Sequence, residues 1–330
     1  MSLSNDLNPY LIWLNRGLAP RALVGGKGAS LSQLIALGAP VPSAFALTTH
    51  VYREFAHRLS LPTQAIGVDD GDLPRIRAEI ESTPLPPQIV DLLESGFRAM
   101  EKEYHDPPVL AVRSSATAED SATFSFAGLH DTVLDVRDMR ELERAVKQCW
   151  ASLWSERAVA YRRAGELSSD EVEIAVVVQA LIRSDISFVA FAADPVNGRN
   201  NYVIISATWG LGEAVVSGLV VPDHIVIGPD GTVVEYAVGD KHRMVIPAPD
   251  GDQGVREVAV PRALRMVPVL TELQATAIGS IACDLSQKLG FKADIEGAVA
   301  KGTVYLFQAR PITTLSPNTR GVPPGPHDPY

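Results

Sequence analysis

Residues 173–179, Glu-Ile-Ala-Val-Val-Val-Gln, constrain the fold of this chain more than any other stretch. Side chains on a strand alternate between faces, so a run of β-branched residues is apolar on both sides. Such a strand needs neighbours at both edges and cover above and below. The chain has 330 residues, enough for one large domain or two lobes with a substantial core. Strand patterns recur at 109–115, 132–136, 186–195, 202–205, 224–227 and 232–235, the last two joined by the turn Pro-Asp-Gly. Helical spacing follows the Gly-rich segment 24–30 (Leu31, Leu34, Ile35, ending at Gly38). Val51, Phe55 and Leu59 repeat every four residues behind Thr48 and Thr49, either of which suits a cap. Further helices are expected over 87–104, after Asp138 (Leu142, Val146, Cys149, Trp150, Leu153, Trp154), and from the capping-box pair Thr271/Gln274 to Gly290. Residues 60–75 and 82–87 read as loops. The mixture predicts an α+β (mixed α/β) fold rather than a regular parallel wind.

A net charge of −10 argues against a nucleic-acid backbone or an anionic membrane as main partner. No apolar run approaches the ~18 residues of a membrane span, and no signal pattern opens the chain, so a cytoplasmic location is expected. Cys149 and Cys283 sit in apolar helical patterns and are expected to be buried structural thiols. The Pro/Gly-rich segment 316–330 is expected to be a disordered tail.

Three residues near the C-terminal end carry the strongest chemical signal. Gln308 and Arg310, two apart in a strand pattern (303–313), share a face. If the strand 293–297 pairs with it as a hairpin, Glu296 joins them. A carboxylate and an amide oxygen are hard magnesium ligands, and a guanidinium grips phosphate. On spacing alone the same trio is more often a solvated strand face. Gly-Gly-Lys-Gly (25–28), opening a helix, suits a phosphate through its backbone N–H groups and Lys27, although it lacks Walker A spacing. Arg113 ends a strand before a loop of small hydroxyl residues, placed for phosphate or for an ion pair. Residues 124–132 form either a lid, with Gly128 allowing close approach and Thr132 offering a hydroxyl, or an ordinary hairpin. Gln179 ends the buried strand, where an adenine edge or plain solvent would satisfy it. Glu213 opens another Gly-punctuated helix, as a ligand orienter or simply as a helix N-terminal acid. Lys241, His242 and Arg243 form a short basic run, expected to be solvated, with a phosphate contact as the alternative.

These segments together resemble one family. Gly-Gly-Lys-Gly-Ala-Ser-Leu (25–31), Ala-Val-Arg-Ser-Ser-Ala-Thr-Ala-Glu-Asp (111–120) and Ser-Phe-Ala-Gly (125–128) match in order. So do Ala-Ser-Leu-Trp-Ser-Glu-Arg-Ala-Val-Ala-Tyr-Arg (151–162), Gly-Leu-Gly-Glu-Ala-Val-Val-Ser-Gly (210–218), Asp-Ile-Glu (294–296) and Gln-Ala-Arg-Pro-Ile-Thr (308–313). The chain resembles the N-terminal ATP-grasp domain of phosphoenolpyruvate synthase, pyruvate phosphate dikinase and rifampin phosphotransferase, over about residues 10 to 315. The resemblance implies a two-lobed ATP-grasp fold, with lobes 1–182 and 183–315 and the nucleotide between them. It implies ATP and Mg2+ as cofactors. Lys27, Arg113 and Arg310 would bind phosphates and carry the catalysis. Gly128 and Thr132 would belong to the covering loop, Gln179 would face adenine, and Glu296 and Gln308 would hold magnesium. Three positions depart from the family pattern: Gly297 stands where a Trp is usual, Phe188 where a Gly is usual, and Leu129 where a Gln is common.

Family enzymes pass phosphate to a histidine on a swivelling domain. The chain ends where the linker to that domain is expected, and none of its seven histidines has the required Gly-rich, Ser/Thr-His context. The expected function is therefore a Mg-ATP-dependent phosphotransferase, the ATP-activating subunit of a split system that phosphorylates a histidine on a separate partner protein. Two alternatives stand beside it: a stand-alone ATP-grasp kinase or ligase acting on a small molecule, and a non-catalytic nucleotide-binding module.

Overall fold

The strand expected at 173–179 runs from Ile174 to Ala180 and is buried at every position, in the middle of a five-stranded sheet. The structure, a computed structural model, describes residues 9–62, 67–104, 108–118, 132–164, 173–195, 199–216, 218–249 and 254–312. In chain order the first half contains β1 (Leu11–Trp13), α1 (Arg21–Ala36), β2 (Ala44–Leu47), α2 (Thr49–Arg58), α3 (Leu73–Ser82) and α4 (Pro87–Tyr104). It continues with β3 (Leu110–Ala116), β4 (Thr132–Val136), α5 (Met139–Ser152), α6 (Glu156–Ala164) and β5 (Ile174–Ala180). The sheet order is β1-β2-β5-β3-β4, and every pairing is antiparallel. Alternation along β5 explains its composition. Val177 joins Val24 and Leu31 of α1 on one face, while Val176 and Val178 join the core built with α2 to α5 on the other.

The chain then crosses to a second sheet. This second half opens with β6 (Ile186–Phe191), β7 (Val203–Trp209), the short helix α7 (Glu213–Val216), β8 (Asp223–Ile227) and β9 (Val233–Ala237). The hairpin β10 (Arg243–Pro247) and β11 (Val255–Ala259) stands apart, and α8 (Glu272–Leu289), β12 (Ala293–Ala300) and β13 (Thr303–Pro311) complete the half. The order β13-β12-β6-β7-β8-β9 is again wholly antiparallel. Helix α8 lays Ile278, Ala282 and Leu285 on this sheet. It starts at the expected capping box of Thr271 and Gln274 and stops at Gly290 in the left-handed region (φ 78°). Two sheets, each carrying helices, bear out the mixed α/β, two-lobed expectation. Among the described residues no helix is long and apolar enough to cross a membrane.

Helix α1 lies between the halves. Leu31 packs in the first core and Leu34 in the second. Ser30 Oγ donates to the Ala309 carbonyl of β13 at 2.6 Å, and the Leu306 N–H donates to the Pro40 carbonyl at 3.0 Å.

Several expectations are corrected. Residues 73–82 form α3 rather than a loop end, because Pro74 is tolerated in the first turn and Ile76 and Ile80 bury one helical stripe. Thr48 is the N-cap of α2, yet its hydroxyl bonds the Pro9 carbonyl instead of the helix. Leu153 and Trp154 lie just beyond α5, which ends at Ser152. Cys149 is buried but Cys283 is exposed. Cys283 follows Ala282 on α8, and a single step of about 100° turns it off the buried stripe. Lys241 is no solvated residue. It is wholly buried and bonds Asp223, itself wholly buried, while His242 pairs with Asp240 and Arg243 with Glu257.

Asp223 also accepts from the Gly239 and Val269 N–H groups and the Tyr236 hydroxyl, so the buried ion pair is satisfied. Removing one partner leaves the other charge buried and unpaired. Lys241→Met should therefore cost about 3–5 kcal/mol of stability. Urea unfolding measures this, and a loss below about 1 kcal/mol would show that water reaches Asp223.

Candidate functional site

The hairpin of β12 and β13 is the floor of the site. Glu296 is the register partner of Gln308, and Asp294 of Arg310, so all four project from one face. Between Glu296 and Gly297 the register slips: Gly297 faces Leu306, which leaves Phe307 without a partner in the ladder. On the open edge of β13 the Phe307 carbonyl accepts a hydrogen bond from Arg113 Nη1 at 3.0 Å. Arg113 projects from β3 in the other half, with 11% of its side chain exposed. Its Nη2 lies 3.4 Å from Gln308 Oε1 and 3.9 Å from Glu296 Oε2. One guanidinium thus spans the two halves and draws a carboxylate and an amide oxygen toward a common cationic atom.

That convergence tests the expected magnesium set. Two hard oxygens from paired residues already face one positive centre, as a divalent cation shared with phosphate oxygens requires. Among the described residues no group of three or more His, Cys, Asp or Glu side chains is placed to hold a metal. Glu296 and Gln308 therefore suit a cation that keeps water and substrate oxygens as its other ligands. Arg310 is one pair further along the hairpin, where its Nε donates to Asp294 Oδ2 at 2.8 Å.

The Gly-rich segment meets β3 from the other side. Gly25 has φ 70° and interrupts α1, so the regular helix begins after it. A Cβ there would fall 2.1 Å from the Ser115 carbonyl oxygen. Ser115 Oγ donates to the Val24 carbonyl at 2.7 Å and accepts from the Gly28 N–H at 3.2 Å. Lys27, buried, reaches the Ser114 carbonyl with Nζ at 3.2 Å. The glycines thus serve close contact between two backbones, and Ser114–Ser115 act as the receptor for the segment. The sequence reading assigned neither serine a role; their place directly after Arg113 was the available signal.

A cleft of about 700 Å³ lies between the sheets. Arg113, Thr132 and Gln179 line it from the first half, and Phe188, Glu213, Glu296, Gly297 and Phe307 from the second. Thr132 is exposed and pairs in register with Arg113. Gln179 is 2% exposed and donates through Nε2 to the Pro42 carbonyl at 3.4 Å, at the end of β5 where the chain leaves for the second sheet. Lys27, Gln308 and Arg310 are not among the residues that line it. Gly128 and Leu129 lie outside the described residues. The other two departures from the family pattern are one steric fact. Gly297 and Phe188 are register partners, and a Cβ on Gly297 would sit 2.5 Å from the Phe188 ring and 2.6 Å from the Tyr305 carbonyl oxygen. The ring fills the space a side chain at 297 would need.

The sequence matches the family model described as pyruvate phosphate dikinase, AMP/ATP-binding domain, over residues 21–325. The chain belongs to that family. It is 39% identical to the prodigiosin synthesizing transferase PigC of Serratia marcescens, covering 93% of this chain and 34% of that protein. Identity is 37% to a rifampicin phosphotransferase of a Streptomyces species, over 90% of this chain and 35% of the relative. It is 34% to a probable phosphoenolpyruvate synthase of Pyrococcus horikoshii, over 90% and 42%. The chain therefore spans less than half the length of these curated relatives.

Gly25→Ala must push the segment away from Ser115 and strain a left-handed residue. A loss of about 1–3 kcal/mol in stability is expected, measured by thermal or urea unfolding. Equal stability of the two proteins would mean that the segment is not seated on β3.

Proposed function

We propose that this chain binds Mg-ATP between its two halves, divided as 1–182 and 183–315, and activates it for phosphoryl transfer. The observation that carries the reading is the convergence of Arg113 from one sheet, at the cleft, with Glu296 and Gln308 from the other. Membership of an AMP/ATP-binding family supports it, as do relatives named as phosphotransferases and phosphoenolpyruvate synthases.

In this reading Glu296 and Gln308 hold Mg2+, which neutralises phosphate charge when bound. Arg113 grips phosphate oxygens from the opposite side, held in place by the Phe307 carbonyl. Lys27 and Arg310 add positive charge from outside the lining, Thr132 offers its hydroxyl and Gln179 an amide edge to adenine. Gly128 belongs to the covering loop. Phosphoryl transfer asks little covalent chemistry of the protein; positioning and charge stabilisation do most of the work. The acceptor is a histidine on a separate partner protein.

Glu296→Ala should lower magnesium-dependent ATP turnover at least about a hundredfold while the protein still folds. Phosphorus NMR of the products, with and without candidate partner proteins, reads turnover and acceptor together. An unchanged rate in the variant would overturn the site. Turnover with a small molecule alone would replace the partner protein by a direct small-molecule acceptor.

A further inference from the structure

The stretch Ser-Leu-Trp-Ser-Glu-Arg-Ala-Val-Ala-Tyr-Arg-Arg (152–163) places three arginines on and around one helix, and the structure separates their tasks. Arg162 is buried: Nε donates to the Ala158 carbonyl at 3.2 Å, Nη2 bonds the Leu153 carbonyl, and the guanidinium lies 5.3 Å from the Trp154 ring centroid. It staples the turn between α5 and α6. Arg163 reaches Asp70 and the Val68 carbonyl on the outside. Arg157 does neither. It is exposed, lines the cleft, and makes no hydrogen bond or ion pair among the described residues.

Topology says which end of the cleft Arg157 reaches. Helix α5 starts where β4 ends and packs back along β3 and β4. By Cys149 it has returned to Val112, whose carbonyl lies 3.6 Å from the Cys149 sulfur. The turn after α5 therefore brings Arg157 toward the end of the sheet where Arg113 and Thr132 face each other. Gln179 and Ala180 face Ala111 and Leu110, further back along the same strands. Arg113 and Arg157 are the two cationic side chains in the described cleft lining, and Arg113 is already tied to Phe307, Gln308 and Glu296. A polyphosphate entering the cleft brings more negative charge than that engaged guanidinium offsets.

We propose that Arg157 contacts the terminal phosphate of the bound nucleotide, so that the cleft favours a nucleoside triphosphate over a monophosphate. The inference rests on the cleft being the nucleotide site proposed above. Because Arg157 is exposed and makes no hydrogen bond or ion pair among the described residues, its replacement should leave folding intact.

The test uses the full chain with magnesium and measures the affinities of ATP, ADP, AMP and adenosine by calorimetry for the unaltered protein, Arg157→Ala, Arg157→Lys and Arg113→Ala. Arg157→Ala should weaken ATP by about tenfold or more, the size of one charge-assisted contact, and leave AMP and adenosine unchanged. Arg157→Lys should recover part of the loss, since a point charge replaces a fork. If Arg113→Ala weakens ATP and Arg157→Ala does not, this inference fails while the nucleotide site stands. Equal weakening of adenosine by Arg157→Ala also overturns it, because a phosphate contact cannot act on a ligand without phosphate. If neither variant alters ATP binding, the nucleotide-site reading itself falls.

Discussion

The structure hangs on one crossing: a single guanidinium, Arg113, that leaves the first sheet and is bound by the second. Its Nη1 holds the Phe307 carbonyl, and its Nη2 faces Gln308 and Glu296. A largely buried guanidinium needs acceptors. Strand β13 is the edge of its sheet, so carbonyls on its outer side, Phe307 and Ala309 among them, are open to partners from the first half. The register slip beside Glu296 falls at the same point of the hairpin. Helix α1 adds a second link of a different kind. It shares apolar contacts with both cores and fastens Ser30 to Ala309. A polar clamp and an apolar wedge thus join the two halves by contacts of different kinds.

The positive groups of the candidate site fall into three sets. Arg113 is in the lining and engaged, Arg157 is in the lining and unengaged among the described residues, and Lys27 and Arg310 are outside it, each on a protein partner. In the proposed reading, such an arrangement would hold a polyanion with groups whose geometry is already set, and leave one long side chain to adapt to phosphate number. Positioned charge of this kind needs little reorganisation when a ligand arrives. The buried pair of Lys241 and Asp223 obeys the same rule without a ligand, since backbone N–H groups and Tyr236 complete the shell of its carboxylate.

Much of this is legible in the sequence. Periodicity located Pro87–Tyr104 and the capping box at Thr271 because local hydrogen bonds and helical spacing determine such features. It missed α3, where Pro and Asp outweighed a short Ile76/Ile80 stripe, and misjudged Cys283 and Lys241. Those errors share a cause. A residue's burial depends on which side of an element meets a neighbour, and Lys241 is buried only because Asp223, eighteen positions earlier, waits for its charge. The departures at Gly297 and Phe188 looked independent in the sequence and are a single packing contact in space.

By itself the sequence determined most of the strands and helices, the family, and the shared face of Gln308 and Arg310, because strand alternation is a property of the local backbone. Tertiary structure alone decided that Glu296 stands opposite Gln308, that Arg113 crosses from the other half to meet them, and that Arg157 rather than Arg162 faces the cleft. The reason is physical. Pairing register, sheet-to-sheet approach and the roll of a helix on its neighbours are set by contacts between residues far apart in the chain, where local pattern carries no information.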